Sequence, residues 1–170
     1  EIVGISLAVE PGEAGYIPLS HRTGTDDLLG QVTLVPGQMP LDEVLAALKP
    51  VLEDPAILKI GQNMKYDAKI FAGLGIEVAP IDDTMLMSYA MHAGIHNHGM
   101  DELAQKYLGH TPIPIKDLIG SGKSAVTFDR VEIDRATRYA AEDADVTLRL
   151  HEALWAKLET VPTLQKVFED

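Results

Sequence analysis

Two pairs of polar residues are spaced so that each pair would lie on one face of a helix. Tyr139 and Asp143 are four residues apart, and so are Asn63 and Asp67, which follow a short apolar run. Side chains four apart on a helix are neighbours, whereas Asp145, two residues after Asp143, faces away. One pair therefore presents a phenol beside a carboxylate. If the two helices meet, Asp67 and Asp143 could hold a hard cation, which prefers oxygen ligands.

Three histidines form another group of residues that could do chemistry. His92, His96 and His98 could bind zinc, but their segment contains Gly94 and offers no obvious fourth ligand. The chain has no cysteine, which excludes disulfide scaffolds, thiolate zinc sites and cysteine nucleophiles. We interpret the histidine segment as a polar loop between two helices.

The hydrophobic pattern predicts the elements that must position these residues. Strands are predicted over residues 2–9, 14–19 and 57–60, with a further short strand over 76–81. Helices are predicted over residues 41–52, from an Asn63 N-cap to about residue 74, from about residue 85 to 91, over 101–108 and over 131–150, followed by an amphipathic stretch through Phe168. Residues 21–40 and 109–127 are predicted to be irregular. A hairpin followed by alternating helices and strands indicates an α/β fold with a mixed sheet flanked by helices.

Length and composition limit the class of protein. The chain has 170 residues, of which 46% are hydrophobic, and this suffices for a sizeable core in one domain over residues 1–170. No apolar run approaches the about 18 residues that a membrane span needs, so we expect no membrane partner. The formal net charge is −12, the opposite of the basic surface expected of a protein that binds nucleic acid tightly.

Two longer motifs resemble those of a known family. Gly61-Gln-Asn-Met-Lys-Tyr-Asp67 and Tyr139-Ala-Ala-Glu-Asp-Ala-Asp-Val-Thr-Leu148 resemble the second and third exonuclease motifs of the proofreading domain of bacterial DNA polymerase I, a family A polymerase. Shorter matches follow in collinear order over essentially the whole chain: Ile2-Val-Gly-Ile-Ser, Glu10-Pro-Gly, Tyr16-Ile-Pro, Asp83-Thr-Met-Leu, Met100-Asp-Glu-Leu and Val126-Thr-Phe128. Ribonuclease D shares the site chemistry but not these intervening segments.

The resemblance implies a ribonuclease-H-like exonuclease fold and 3′→5′ hydrolysis of DNA by two metal ions, Mg²⁺ or Mn²⁺, with release of nucleoside 5′-monophosphates. It makes Asp67 and Asp143 catalytic carboxylates that bind metal, and Tyr139 the catalytic phenol that orients the attacking water. Two cations about 4 Å apart supply a hydroxide and neutralise charge on the entering and leaving oxygens.

The resemblance also implies contacts with the single-stranded 3′ end of DNA. Aromatic rings can stack on its unpaired bases, and the matching positions are Asn63, Tyr66 and Phe128. Judged from the sequence alone, Tyr66 and Phe128 could equally be core aromatics.

The first motif of the family, Asp-x-Glu on a central strand, has no counterpart in the sequence. No Asp is followed two residues later by Glu. We expect this motif, with the first strand of the sheet, upstream of Glu1 in a longer chain that continues into a polymerase domain after Asp170. Without its two carboxylates, the remaining pair should bind metal weakly and the fragment alone should be inactive.

The remaining expectations concern charge, location and alternative functions. An acidic domain can still act on DNA if it grips only a few nucleotides and the polymerase domain supplies most of the duplex affinity. The resemblance implies a cytoplasmic, nucleoid-associated bacterial protein. Two other functions stay open: a degenerate exonuclease fold that serves only as a scaffold, and an exonuclease that trims RNA as ribonuclease D does. The intact Asp67, Tyr139 and Asp143 argue against the scaffold.

Overall fold

A computed structural model of the chain describes residues 1–23 and 32–169. The chain divides into two compact units. The first unit comprises Glu1–Leu45 and Ile113–Asp145, and the second comprises Ala46–Pro112 and Val146–Asp170. The single domain over residues 1–170 that the sequence suggests stays a prediction.

The first unit begins with the predicted hairpin. Strand β1 (Gly4–Glu10) pairs antiparallel with β2 (Glu13–Pro18), with Ile5 opposite Ile17. Between the strands, Gly12 has a φ of 86°, a backbone conformation that glycine adopts without steric cost. The prediction of an irregular segment over residues 21–40 is wrong at two places, because β3 (Arg22–Thr23) pairs with β4 (Thr33–Leu34). The part of that prediction over residues 24–31 lies outside the described residues.

Helix α1 spans Leu41–Leu52, the range that the sequence predicts. Acidic residues in its first turn and Lys49 in its last turn interact favourably with the helix dipole. Pro50 lies inside the helix, in its last turn.

In the second unit, a parallel strand pair carries two helices that begin at its carboxyl ends. Strand β5 (Lys59–Gly61) pairs with β6 (Ile81–Asp83), helix α2 (Met64–Ala72) follows β5, and helix α3 (Thr84–His92) follows β6. The strand predicted over residues 76–81 is wrong, since only its last residue lies in β6. Pro80 has no N–H to donate to a ladder, and the paired segment begins directly after it.

The remaining helices follow the pattern less closely. Helix α4 (Met100–Leu103) continues as a π-helical turn over Ala104–Leu108. Together the two segments cover the helix predicted over residues 101–108. Helix α5 (Ile115–Ile119) and a 3₁₀ turn over Gly122–Ser124 lie where we predicted irregular structure, and another 3₁₀ turn covers Phe128–Arg130. Helix α6 (Ile133–Leu158) runs past the predicted end at residue 150, and α7 (Pro162–Glu169) follows. No Gly or Pro interrupts α6, and Leu150, Leu154 and Leu158 are all fully buried along it.

Each unit has its own apolar core. In the first unit, Leu118, Val131 and Ala136 are buried, and aromatic side chains pack around them. In the second unit, buried residues of α3, α6 and residues 103–104 form a larger cluster that includes Met87, Leu103 and Leu150. Burial of such side chains is the main stabilising contribution to each unit.

The predicted α/β class is confirmed. Antiparallel and parallel pairing both occur, and within the described residues they form three two-stranded ladders. None of the helices in the described part of the chain is both long and apolar enough to cross a bilayer.

Candidate functional site

The second unit gathers three of the sequence-predicted site residues at the start of α2. Asn63 precedes the helix, and Tyr66 and Asp67 lie in its first turn. Tyr66 is 66% exposed, which places its ring at the surface rather than in a core. Asp67 is also exposed. Three residues at the start of α2 are therefore at least partly open to solvent at the carboxyl end of β5, the end of a strand where α/β proteins place ligand sites.

Asn63 occupies the N-cap position, but the expectation that its side chain caps the helix is wrong. Its backbone is left-handed, with φ of 60° and ψ of 45°, and its side chain makes no capping hydrogen bond. The carboxylate of Asp83 accepts hydrogen bonds from the amides of Asn63 at 3.0 Å and Met64 at 2.8 Å instead. An amide donor at a helix N-terminus is satisfied equally well by a carboxylate from another element.

The pKa of the Asp67 carboxyl is raised above its usual value. Desolvation by the surrounding protein atoms is the largest cause, and the negative charge of Asp83 acts in the same direction. A hydrogen bond from the backbone amide of Asp67 itself partly opposes the shift. A carboxylate that is held near a second carboxylate favours the approach of a cation, because the cation relieves their repulsion.

In the first unit, Tyr139 and Asp143 lie one turn apart on α6, as the sequence predicts. Tyr139 is half-buried, and its ring centroid lies 5.9 Å from that of Phe128. Asp143 is also half-buried, and its Oδ1 atom is shielded from solvent. The phenol and the carboxylate are therefore both held at fixed, partly dry positions on the helix.

Aromatic contacts connect Tyr139 with the hairpin. The ring of Phe128 contacts the rings of Tyr139, His21 and Tyr16. Its centroid lies 5.8 Å from that of His21 and 6.4 Å from that of Tyr16. His21 is fully buried. Phe128 thus packs in the core of this unit, which is one of the two possibilities that the sequence left open.

Hydrogen bonds engage both ring nitrogens of His21. Nδ1 lies 2.9 Å from the carbonyl oxygen of Val131 and donates to it, so Nε2 accepts from the hydroxyl of Tyr16 at 2.8 Å. Burial lowers the pKa of His21, although the Val131 carbonyl and the charge of Asp129 oppose the shift. Burial also raises the pKa of Tyr16 to about 12, which keeps its phenol protonated and able to donate.

The other two acidic residues near Asp143 bind backbone amides within the first unit. Glu142 accepts from the amide of Ile113 at 2.7 Å, and Asp145 accepts from the amide of Gly12 at 2.6 Å. Asp145 therefore anchors the turn of the hairpin, which agrees with its predicted place away from Asp143.

The structure brings the predicted residues together within each unit. Phe128, Tyr139 and Asp143 belong to the first unit, and the α2 residues belong to the second. The convergence of Asp67 with Asp143 stays a prediction. Within residues 1–23 and 32–169, no three His, Asp or Glu side chains are grouped as a metal-binding set.

The histidine segment has contacts that suit a folded loop. The ring centroids of His92 and His96 are 5.3 Å apart, and those of His96 and His98 are 4.9 Å apart. The hydroxyl of Ser88 lies 2.8 Å from Nδ1 of His98, and Nδ1 of His96 donates to the carbonyl oxygen of Asn97. Desolvation lowers the pKa of His92, and the positive charge of Lys106 and the neighbouring His96 and His98 act in the same direction.

Sequence reasoning missed Asp83 and His21. Asp83 stands at the end of a strand and directly before a helix, the position at which Asp is a preferred N-cap, so a signal for it was present. His21 lay in a segment predicted to be irregular, and no periodicity indicated that it is buried.

The comparisons with known proteins identify the family. The sequence model of the 3′-5′ exonuclease of family A DNA polymerases matches residues 1–159. DNA polymerase I of Rhizobium leguminosarum is 54% identical over 159 residues, covering 88% of this chain and 16% of that protein. DNA polymerase I of Pseudomonas aeruginosa is 49% identical over 173 residues, covering 100% of this chain and 18% of that protein. The chain therefore spans about a sixth of the length of these relatives.

A solved structure shows the same fold. NrnC of Brucella melitensis superposes with a TM-score of 0.58 at 18% identity, over 98% of this chain and 77% of that one. The same protein has also been solved with bound Mg²⁺. The likeness confirms the ribonuclease-H-like exonuclease fold that the motifs predicted. The matching family model and the two polymerase relatives show that the chain belongs to the family of 3′-5′ exonuclease domains of bacterial DNA polymerase I.

Proposed function

We propose that the polypeptide containing this chain hydrolyses the 3′-terminal phosphodiester of DNA and releases nucleoside 5′-monophosphates, and so removes misincorporated nucleotides. The observation that carries the proposal is the arrangement on α6. Tyr139 and Asp143 lie one turn apart, and Phe128 holds the phenol from the side. Family membership supports the same assignment.

Two carboxylates fit a divalent metal. Asp67 and Asp143 offer the hard oxygen donors that Mg²⁺ and Mn²⁺ prefer, and we propose them as metal ligands. Such ions would activate water and neutralise charge on the reacting phosphate. The sequence contains no Asp-x-Glu pair, so these two carboxylates are a partial ligand set and would bind metal weakly by themselves.

The protein side chains have separate roles in this proposal. The Tyr139 hydroxyl orients the attacking water, which suits a phenol held in place by Phe128. Tyr66, exposed beside Asp67, stacks on an unpaired base, and Asn63 contacts the DNA end from the same turn. Phe128 contacts the terminal nucleotide with the part of its ring that the core leaves accessible, since the residue is only half-buried.

The proposed partners are a single-stranded 3′ end of DNA and a polymerase domain of the same polypeptide. The net charge of −12 disfavours tight DNA binding by this domain alone, so in this proposal the domain grips only a few nucleotides and the polymerase domain supplies the duplex affinity. The relatives are bacterial DNA polymerases, which supports a location with the chromosome in the cytoplasm.

The test uses the full-length polypeptide encoded by the gene, a DNA substrate with a labelled single-stranded 3′ end, and Mg²⁺ or Mn²⁺. Asp143→Asn should lower the hydrolysis rate at least about 100-fold, because charge stabilisation in the transition state is worth several kcal/mol. Tyr139→Phe should lower it about tenfold or more. The matched control is Asp134→Asn, an exposed acidic residue in the first turn of the same helix, which should stay within about twofold.

Each alternative function gives a different result. Full activity of Asp143→Asn would contradict the proposal. Preferential shortening of RNA ends would indicate an RNA-trimming exonuclease, and no shortening of either substrate by the wild-type polypeptide would indicate a scaffold.

A further inference from the structure

One buried carboxylate joins the two strand–helix junctions of the second unit. Asp83 is 6% exposed and ends β6. Its Oδ1 accepts hydrogen bonds from the amides of Asn63 at 3.0 Å and Met85 at 2.9 Å, and its Oδ2 accepts from the amide of Met64 at 2.8 Å. Asp83 therefore caps its own helix, α3, and also the start of α2 in the neighbouring βα segment.

These bonds coincide with an unfavourable backbone conformation at the proposed site. Asn63 is the only non-glycine residue with a positive φ among the described residues. The left-handed region is costly for most residues with a Cβ atom, Asn tolerates it better than most, and it persists where surrounding contacts hold it. The bond from the Asn63 amide to Asp83 is such a contact, and it fixes the point at which α2 begins.

A second connection reinforces the same junction. The Thr84 hydroxyl, which is fully buried, hydrogen-bonds to the carbonyl oxygen of Gly61 at 3.2 Å and to the side chain of Gln62. In the parallel ladder, Gly61 lies opposite Asp83. The dipeptide Asp83-Thr84 thus binds three consecutive residues before α2: Gly61, Gln62 and Asn63.

We propose that Asp83 is a positioning residue for hydrolysis: it sets the start of α2 and thereby the places of Asn63, Tyr66 and Asp67. The proposal rests on the proposed function, because it assigns those three residues to the site. Asp83 itself does not touch the DNA or the metal in this account.

The geometry requires a carboxylate rather than any polar group. Three amides converge on two oxygen atoms, two on Oδ1 and one on Oδ2. An asparagine in the same place can keep its carbonyl oxygen at the Oδ1 position, but its amino group then faces the amide of Met64, and two donors repel. The start of α2 then keeps the bond from the Asn63 amide but loses the bond from the Met64 amide, so it should loosen, while the bond from the Met85 amide keeps the start of α3 capped.

The first measurement is hydrogen exchange by mass spectrometry on the full-length polypeptide, with overlapping peptides across residues 61–66 and 83–88. In Asp83→Asn, exchange at the start of α2 should rise at least about tenfold while the start of α3 changes little. In Asp83→Ala, both starts should exchange faster. The matched control is Asp82→Asn, the adjacent carboxylate, which bonds to His151 at 2.6 Å instead of to these amides.

The second measurement is the hydrolysis rate of the same variants at saturating DNA and metal, well below the unfolding temperature of each. We expect kcat to fall at least about tenfold in Asp83→Asn and further in Asp83→Ala, with Asp82→Asn within about twofold of wild type. A purely stabilising role would leave kcat unchanged in the folded variant.

The outcomes separate this proposal from the proposed function. If Asp67→Asn abolishes hydrolysis while Asp83→Asn retains wild-type kcat, the positioning role is overturned and the nuclease function stands. Unchanged exchange at the start of α2 in both Asp83 variants would also overturn it. If Asp67→Asn retains full hydrolysis, the proposed function fails, and the catalytic consequence assigned to Asp83 fails with it.

Discussion

The hydrogen bond between Tyr16 and His21 offers a sharp test of how the first unit holds Phe128 and Tyr139. Tyr16→Phe removes one oxygen atom and keeps the aromatic ring. His21 is fully buried, and its Nδ1 is already committed to the carbonyl oxygen of Val131, so its Nε2 has the Tyr16 hydroxyl as its donor at 2.8 Å. The variant leaves that acceptor buried without this bond.

The expected loss in the free energy of unfolding follows from the burial of His21. Leaving a buried acceptor unsatisfied costs about 1–3 kcal/mol, whereas the apolar area of the ring is unchanged. With a urea dependence of about 2 kcal/mol per molar, the unfolding midpoint should fall by roughly 0.5–1.5 M. The matched control is Tyr89→Phe, at a tyrosine that is 57% exposed, where we expect a change of less than about 0.5 kcal/mol.

The assay is urea unfolding followed by far-ultraviolet circular dichroism, with both variants measured beside the wild type. The hydrolysis rate should fall as well in Tyr16→Phe, since the rings of Tyr16 and His21 pack on Phe128, which contacts Tyr139. A Tyr16→Phe protein that unfolds within about 0.5 kcal/mol of the wild type would refute the reasoning, because the buried bond would then contribute nothing measurable.

Two further predictions concern the same cluster. A Cβ atom added at Gly4 would lie 2.1 Å from the Tyr16 hydroxyl oxygen. Gly4→Ala should therefore displace the ring and lower the free energy of unfolding, measured with urea, by about 1–3 kcal/mol. Gly15→Ala is the control and should be tolerated, because no atom lies within 4 Å of the added Cβ. Because burial lowers the pKa of His21, the unfolded chain takes up a proton below about pH 6.5 before the folded chain does. The free energy of unfolding should therefore fall as the pH drops below about 6.5, and His21→Gln should weaken this slope. An unchanged slope in His21→Gln would contradict the assignment.

Local sequence patterns predicted those helices and strands whose formation depends on residues within the element itself. The range of α1 follows from helical spacing, and the hairpin follows from Pro11-Gly12 between two apolar runs. The spacing of Tyr139 and Asp143 likewise placed both on one face of a helix. These features depend on neighbours within a few positions, which a sequence displays directly.

The failures involve partners that are distant in sequence. Asp83 caps α2 from 19 and 20 residues away, so no motif around Asn63 could show that the cap comes from elsewhere. The Nδ1–H of the buried His21 is satisfied by the carbonyl oxygen of Val131, 110 residues later, which no local pattern displays. The end of α6 was misjudged for a related reason, since burial of Leu154 and Leu158 in a tertiary core extends the helix.

The most direct measurement of the metal site is a crystal structure of the full-length polypeptide grown with Mn²⁺, in which anomalous scattering locates the ions. We predict that the carboxylates of Asp67 and Asp143 both coordinate manganese within one pair of ions about 4 Å apart. Manganese bound by neither carboxylate, or the two side chains lying in separate cavities, would contradict the account.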